Sequence, residues 1–305
     1  MLHMPVDIRD EPYIGHNDIL GLNFIRDPGV YRYRRHYRQG LRSHIMEILS
    51  PQAVENEDRG VMVDGSRRYP RAQPFKMLRL FRARFKSFKD AKEELTRVKL
   101  ITAYLAPDHL GRPEEFLVEY SPSGKGEILL CGLQEYVRGE ILDPWSLLNK
   151  DHLVSILNDM GCDGAGKAGR EGDQWAHLVR EKAASLVQKL KQMITEVHHV
   201  PDLAGIGNLI VTPKGDIKLV DINNISKVSF DSVVNLDDRG YPVCDKSIEA
   251  LSHLEKKLVD RYAPEHDPIY NVFLDPERMK DVRAAEKAFY LSMETKKCDA
   301  GQSLS

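Results

Sequence analysis

Apolar positions repeat along this chain with two periods, and the change between them divides it. Between residues 31 and 137 the dominant period is two, the signature of strands with one buried face. Residues 31–49 read as two strands joined by Arg38-Gln39-Gly40-Leu41-Arg42-Ser43. In residues 73–82, Lys76, Leu78 and Leu80 share one face, and Phe75, Met77 and Arg79 take the other. Residues 115–120 and 127–137 make two further strands around a turn at 121–126. One helix interrupts them over 87–106: Ser87 can cap it, and Leu95, Val98, Ile101 and Leu105 recur at helical spacing. Beyond residue 137 the helical period prevails. Helices are expected over 143–160, opening on Asp-Pro-Trp-Ser, over 174–198 as one long amphipathic rod, from Val243 to about 259, and from about 275 onward.

One stretch in the second half returns to strand pattern. Leu209-Ile210-Val211 and Ile217-Lys218-Leu219-Val220 flank Pro213-Lys214-Gly215-Asp216, which reads as a β-hairpin. Asn208 precedes the first strand and Asp221 follows the second. Antiparallel pairing brings these two positions to the same end. An amide oxygen and a carboxylate side by side suit Mg²⁺, and a Mg²⁺ held there can bridge nucleotide phosphates.

The remaining stretches are polar. Residues 1–30, rich in Pro, Asp, Asn and Gly, are expected to form an irregular leader or a flap over the first sheet. Residues 50–72 read as a polar insertion, with Val61-Met62-Val63 continuing a strand into an Asp64-Gly65 turn. Glycines stud 161–173 without phosphate-loop order, as in a linker, and 298–305 reads as a frayed tail.

The hairpin and its surroundings resemble the protein-kinase-like superfamily. Asn208 and Asp221 stand thirteen positions apart, the family spacing of its metal-binding Asn and Asp, and Gly215-Asp216-Ile217-Lys218-Leu219-Val220-Asp221 follows the family pattern. Gln134-Glu135-Tyr136-Val137-Arg138-Gly139 resembles the family hinge. The resemblance covers roughly residues 31–260 and implies an α+β, two-lobe fold: a small antiparallel-sheet lobe with one helix over 31–137, and a mostly helical lobe over 138–297.

It also implies roles. Gly40 and Ser43 would cover the phosphates of ATP; Lys76 would contact them and pair with Glu94, eighteen residues later, with Glu93 as the alternative. The backbones of Glu135 and Val137 would bind the adenine edge. Asp202 would position or deprotonate an acceptor hydroxyl, Asn208 and Asp221 would hold Mg²⁺, and Asp245 would bond the loop around Asp202 in a structural role. His198 or His199 would stand for the loop's structural histidine.

The chain departs from the family at several points. Asp202 precedes Asn208 by six residues where the family has five, Ile222-Asn223 replaces Phe-Gly, the 38–43 turn holds one glycine, and no Ala-Pro-Glu motif follows. The last point resembles the small-molecule or atypical bacterial branches. Two readings therefore stand together: an ATP/Mg²⁺-dependent phosphotransferase with a small-molecule or protein acceptor, and a pseudokinase that binds nucleotide or scaffolds without transfer.

Composition narrows this further. Lys plus Arg is 44 against 46 Asp plus Glu, so the overall charge points to neither nucleic acid nor a membrane surface. A local exception is the tyrosine-interleaved run Arg32, Arg34, Arg35, Arg38 and Arg42, either a solvated strand face or a contact for phosphate or RNA. Cys131, Cys162, Cys244 and Cys298 are widely spaced with no zinc pattern, which suits free thiols in a reducing, cytoplasmic setting. Neither a signal peptide nor a membrane-spanning run is expected.

Overall fold

The computed structural model describes residues 7–40, 42–121, 126–160, 170–259 and 266–302, with side chains through Glu294. The chain forms two compact units, Met1–Lys99 with Gly111–Tyr136, and Leu100–Leu110 with Val137–Ser305. The class is the expected α+β: an antiparallel sheet with helices in the first unit, mostly helix in the second.

The first unit runs α1 (His16–Leu20), β1 (Arg32–Arg35), β2 (Ser43–Leu49), α2 (Pro51–Arg59), β3 (Val61–Val63), β4 (Ser66–Arg68), β5 (Lys76–Phe81), α3 (Phe88–Leu105), β6 (Pro113–Tyr120) and β7 (Glu127–Glu135). The last turn of α3 belongs to the second unit. Strands β1, β2, β5, β7 and β6 form, in that order, a five-stranded sheet in which each neighbouring pair is antiparallel. Ser87 caps α3 as its sequence suggests, accepting the Asp90 N–H at 3.2 Å.

Residues 7–25 are not a loose leader. Ile8, Ile14, Ile19 and Leu22 are buried in one cluster with Tyr33, Met46, Ile48, Leu78, Leu80, Leu129 and Cys131 of the sheet. Each fully buried isoleucine contributes about 2 kcal/mol through area removed from water. The Arg9 guanidinium, buried against Asp7 and Glu127, and the Ile8 N–H on the Tyr120 hydroxyl at 2.8 Å pin this segment to β6 and β7. The flap alternative is the one that holds, because four aliphatics spread over fifteen residues suffice to cover one sheet face.

The 50–72 region also holds more structure than its polarity suggests. Ser50 caps α2, with Pro51 at the first helical position, a start signal present in the sequence. β3 and β4 form a separate hairpin whose turn residues, Asp64 (φ 50°) and Gly65 (φ 74°), both take the left-handed conformation that such two-residue turns require.

The second unit runs β8 (Glu140–Ile141), α4 (Lys150–Asp159), α5 (Arg170–Val197), β9 (His199–Pro201), β10 (Leu209–Val211), β11 (Ile217–Leu219), β12 (Ile225–Lys227), α6 (Val243–Leu258), α7 (Pro268–Phe273) and α8 (Pro276–Gln302). Trp175, Val179, Ala183, Leu186, Leu190, Met193 and Ile194 make the buried stripe of α5. The Asp-Pro-Trp-Ser stretch forms a turn held by the Asp143 carboxylate, and α4 starts later, with Asn149 as its cap. Most of the 161–173 glycine segment, 161–169, lies outside the described residues. Of the 298–305 tail, residues 298–302 continue α8, and 303–305 lie outside the described residues.

Residues 107–110 join this unit through buried His109, whose Nδ1–H donates to the Ile217 carbonyl at 3.1 Å and whose Nε2 accepts from the Ser185 hydroxyl at 3.1 Å. Burial depresses its pKa, so the ring is neutral. Among the described residues, no helix is long and apolar enough to cross a membrane.

Candidate functional site

The site is built on two short sheets of the second unit. Strands β10 and β11 pair antiparallel with Leu209 opposite Leu219, and β10 is flanked on its other edge by β8. The Val220 N–H donates to the Asn208 carbonyl at 2.8 Å, which closes the hairpin base and sets Asn208 beside the residue before Asp221. Both expected metal-binding residues therefore share one end of the hairpin.

The second sheet pairs β9 with β12, with Pro201 opposite Ile225. The loop leaving β9 begins at Asp202, whose N–H donates to the Asn224 carbonyl at 2.8 Å. Its Oδ1 accepts from the N–H groups of Ala204 at 3.0 Å and Gly205 at 3.1 Å, and its Oδ2 from Asn224 Nδ2 at 2.9 Å. The Asp202 carbonyl accepts from Asn208 Nδ2 at 2.9 Å. Asn208 thus spends its amide nitrogen on the loop, while among the described residues its Oδ1 accepts no hydrogen bond. Gly205 is required here: a Cβ on it would lie 2.6 Å from Asn208 Nδ2, so any side chain displaces that amide.

Burial pushes the Asp202 carboxyl up from its ordinary 3.8, and the neighbouring Asp221 charge adds to the rise against the hydrogen bonds of Asn224, Gly205 and Ala204. The sign for stability follows. A carboxyl that holds its proton more tightly in the folded chain costs stability as pH rises above its unfolded value, and the cost is complete above its folded one. Asp202→Asn keeps an oxygen for Ala204 and Gly205 and removes the charge. Its stability relative to the parent chain should therefore improve as pH is raised from about 4 to about 7 in urea melts. A gap between the two that stays constant with pH would refute this.

Two expected pairings do not form. Asp245 does not bond the loop around Asp202. It is buried on α6 and binds Arg278 of α8, at 2.5 Å to Nε and 3.4 Å to Nη2. The loop is held instead by Ser247, one half-turn further on, whose hydroxyl accepts the Leu203 N–H at 3.2 Å and donates to the Val243 carbonyl at 2.7 Å.

In the first unit, Glu94 pairs with Arg97 at 2.9 Å rather than with Lys76, and Glu93 is exposed. The period of two explains why. Lys76 stands opposite Ile48 and Glu135, on the Leu78–Leu80 face that the 8–25 segment covers. The cation buried in β5 is Arg79, on the other face, beside Ile45 and Gly132. Burial raises the Glu94 carboxyl, against the pull of Arg97 and Arg42.

The β1–β2 connection is closed by Gln39. Its carboxamide donates to the His36 and Ile45 carbonyls at 2.7 and 2.8 Å and accepts the Ile45 N–H at 3.1 Å. Ser43 is buried opposite Phe81 and lies against Gly40, where a Cβ would stand 2.9 Å from the Ser43 hydroxyl. The Glu135 N–H is taken by the Arg112 carbonyl at 3.3 Å. The Val137 N–H has no acceptor among the described residues.

His199 lies in β9, its Nδ1 2.6 Å from the Val197 carbonyl; His198, with φ 53°, ends α5 in the left-handed region. Asn224, Gly205, Ser247 and Arg278 were not singled out from sequence. Only the polar Asn223-Asn224 pair after Asp221 hinted at any of them.

No protein-family model matches this chain, and no characterised protein matches it in sequence. Among solved structures, it is similar to the ROP18 kinase domain in complex with AMP-PNP and sucrose, at 11% identity over 90% of this chain and 82% of that one, with a TM-score of 0.37. A likeness of that size carries no weight in the reading that follows.

Proposed function

We propose that the chain is an ATP- and Mg²⁺-dependent phosphotransferase of the kinase-like kind, acting on a small-molecule or protein acceptor. The observation that carries this reading is the hairpin base. Asn208, its amide nitrogen fixed on the Asp202 carbonyl at 2.9 Å, has an uncommitted oxygen and shares one end of the hairpin with Asp221. A set of hard oxygen donors fits Mg²⁺, which takes one or two protein ligands and completes its shell with water and phosphate oxygens. When bound, the ion would bridge phosphate oxygens and offset their charge.

The chain's own residues then have separate tasks. Asn208 and Asp221 hold the metal, and Gly205 and Asp202 hold Asn208. The Glu135 carbonyl and the free Val137 N–H remain assigned to the adenine edge.

One observation favours the second reading, a nucleotide-binding module without transfer. Both Asp202 oxygens are already engaged, by two backbone N–H groups and by Asn224, so this carboxylate serves as a loop clamp. To accept a proton from a hydroxyl it must give one of those bonds up.

Calorimetric titration with ATP, with and without Mg²⁺, tests both readings, and single-turnover release of the γ-phosphate separates them. Asp221→Asn and Gly205→Ala should each weaken Mg²⁺-dependent nucleotide binding by about 10- to 100-fold, the usual effect of disturbing a ligand or its support. Binding without transfer would establish the second reading. Absence of any Mg²⁺-dependent nucleotide binding would remove both.

A further inference from the structure

Residues 1–75 carry eleven arginines against ten carboxylates. No lysine occurs before Lys76; every earlier side-chain cation other than histidine is an arginine. The β3–β4 hairpin carries two of them, Arg67 and Arg68. Arg67 and Met62 lie on one face of this ribbon, Arg68 and Val61 on the other, and Arg67, Arg68, Tyr69 and Arg71 are all exposed. Among the described residues, Arg67, Arg68 and Arg71 form no ion pair. The acids nearby are mostly committed elsewhere: Glu55 to Arg59 at 2.7 Å and Glu57 to Arg34 at 2.8 Å, leaving Asp58 and Asp64.

The ribbon is free along its length but fixed at its base. The Ala72 N–H donates to Glu57 at 3.0 Å, and the Ala72 carbonyl accepts from Arg34 at 2.9 Å. Three residues on stands Phe75, whose ring lies 5.4 Å from that of Tyr31; the two are 45% and 40% exposed although no core covers them. Exposed arginines that form no ion pair among the described residues, with the charge of Glu57 acting on Arg71, thus lead within a few residues of chain into an open aromatic pair.

We propose that this surface of the first unit binds single-stranded nucleic acid. Arginine forks match phosphate oxygens in two-point contact, and exposed rings stack on unpaired bases. The aromatic content separates this from plain attraction to a polyanion. The proposal is independent of the phosphotransferase reading, which uses none of these residues.

The test uses the full chain and fluorescence anisotropy with labelled RNA and DNA oligonucleotides of about 12 nucleotides, a length within the known range of single-strand sites. Salt is varied between about 50 and 200 mM. The triple variant Arg67→Gln, Arg68→Gln, Arg71→Gln should weaken binding and flatten the logarithmic salt dependence by about two, the release expected from three phosphates on a single strand. Phe75→Leu should weaken binding about tenfold with the salt dependence unchanged. Preference for RNA over DNA would assign a contact to the 2′-hydroxyl.

All variants are checked by thermal melting, and the exposed Tyr69→Ala repeats the stacking test should Phe75→Leu fail to fold. The proposal is overturned by absence of saturable binding, or by a triple variant with an unchanged salt slope. It is equally overturned if the aromatic variants bind as well as the parent chain, which would mean ion exchange only. Binding to phosphatidylserine vesicles without binding to oligonucleotides would also overturn it, in favour of a lipid surface.

Discussion

Asp245→Ala should destabilise the second unit by about 3–5 kcal/mol, the range for removing one partner of a buried ion pair. The carboxylate side chain is 1% exposed and its Arg278 partner 5%. Burial pushes the Asp245 carboxyl up, against the downward pull of the guanidinium 2.5 Å away. Without the carboxylate, Arg278 keeps the Asp231 carbonyl at 2.5 Å, the Val233 carbonyl at 3.3 Å and the Phe273 ring 4.3 Å away. Its buried charge then loses its ion-pair partner, with the Asp231 carboxylate acting on it from beyond ion-pair range. Removing both charges together, as Asp245→Leu with Arg278→Met, should recover part of the loss. Recovery is incomplete because Arg278 also holds the 231–233 carbonyls, which would lose their donor. Denaturant melts of the two variants decide this: a single variant within about 1 kcal/mol of the parent chain would show that the pair is not structural.

Gly139→Ala should cost about 3 kcal/mol, at the upper end of what overpacking usually costs. A Cβ at this position would stand 2.1 Å from the Val211 carbonyl oxygen and 2.8 Å from Ile210 Cγ2. Backbone lies in the way, so no rotamer change relieves the clash. The chain must retreat, and β8 must part from β10, where Ile141 faces Ile210 and Glu140 faces Val211. Strand β10 is the middle of its sheet, so the loss reaches the Asn208–Asp221 base through the same strand. Amide exchange should accelerate at Leu142, whose N–H donates to the Leu209 carbonyl at 3.0 Å, and along β10. A variant with parent-like protection there would contradict the argument. The matching change at Gly126, where a Cβ meets nothing within 4 Å, serves as the control.

How much of this was legible beforehand depended on distance along the chain. The strands, the long α5 rod and the Ser87 cap were readable because each signal lies within a few residues of the structure it makes. Asn208 and Asp221 were readable for a related reason: a tight hairpin has its own register, so the ends of its strands must meet. The late start of α4 was not. Asp-Pro-Trp-Ser satisfies a turn as well as it does a helix N-terminus, and Asn149 proved the better cap.

Partners across long separations were invisible. Asp245 at the start of a helix looks like a cap or a loop anchor, and nothing local assigns it to Arg278, 33 residues later. Lys76 and Glu94 were matched by order and by their eighteen-residue spacing, and period two then placed Lys76 on the face that the 8–25 segment covers. That segment looked irregular because its four buried aliphatics follow no period. They are ordered by the sheet they cover.

By itself, then, the amino-acid sequence determined the α+β class, the succession of elements and the hairpin that brings Asn208 and Asp221 to one end. Those follow from backbone geometry and from side-chain periods of two and 3.6 residues. Only the tertiary structure decided which face of β5 is buried, that Ser247 and Asn224 hold the Asp202 loop, and that Arg278 takes Asp245. Each of these is fixed by which surfaces exclude water against one another, a property of the packed chain that no short window of residues encodes.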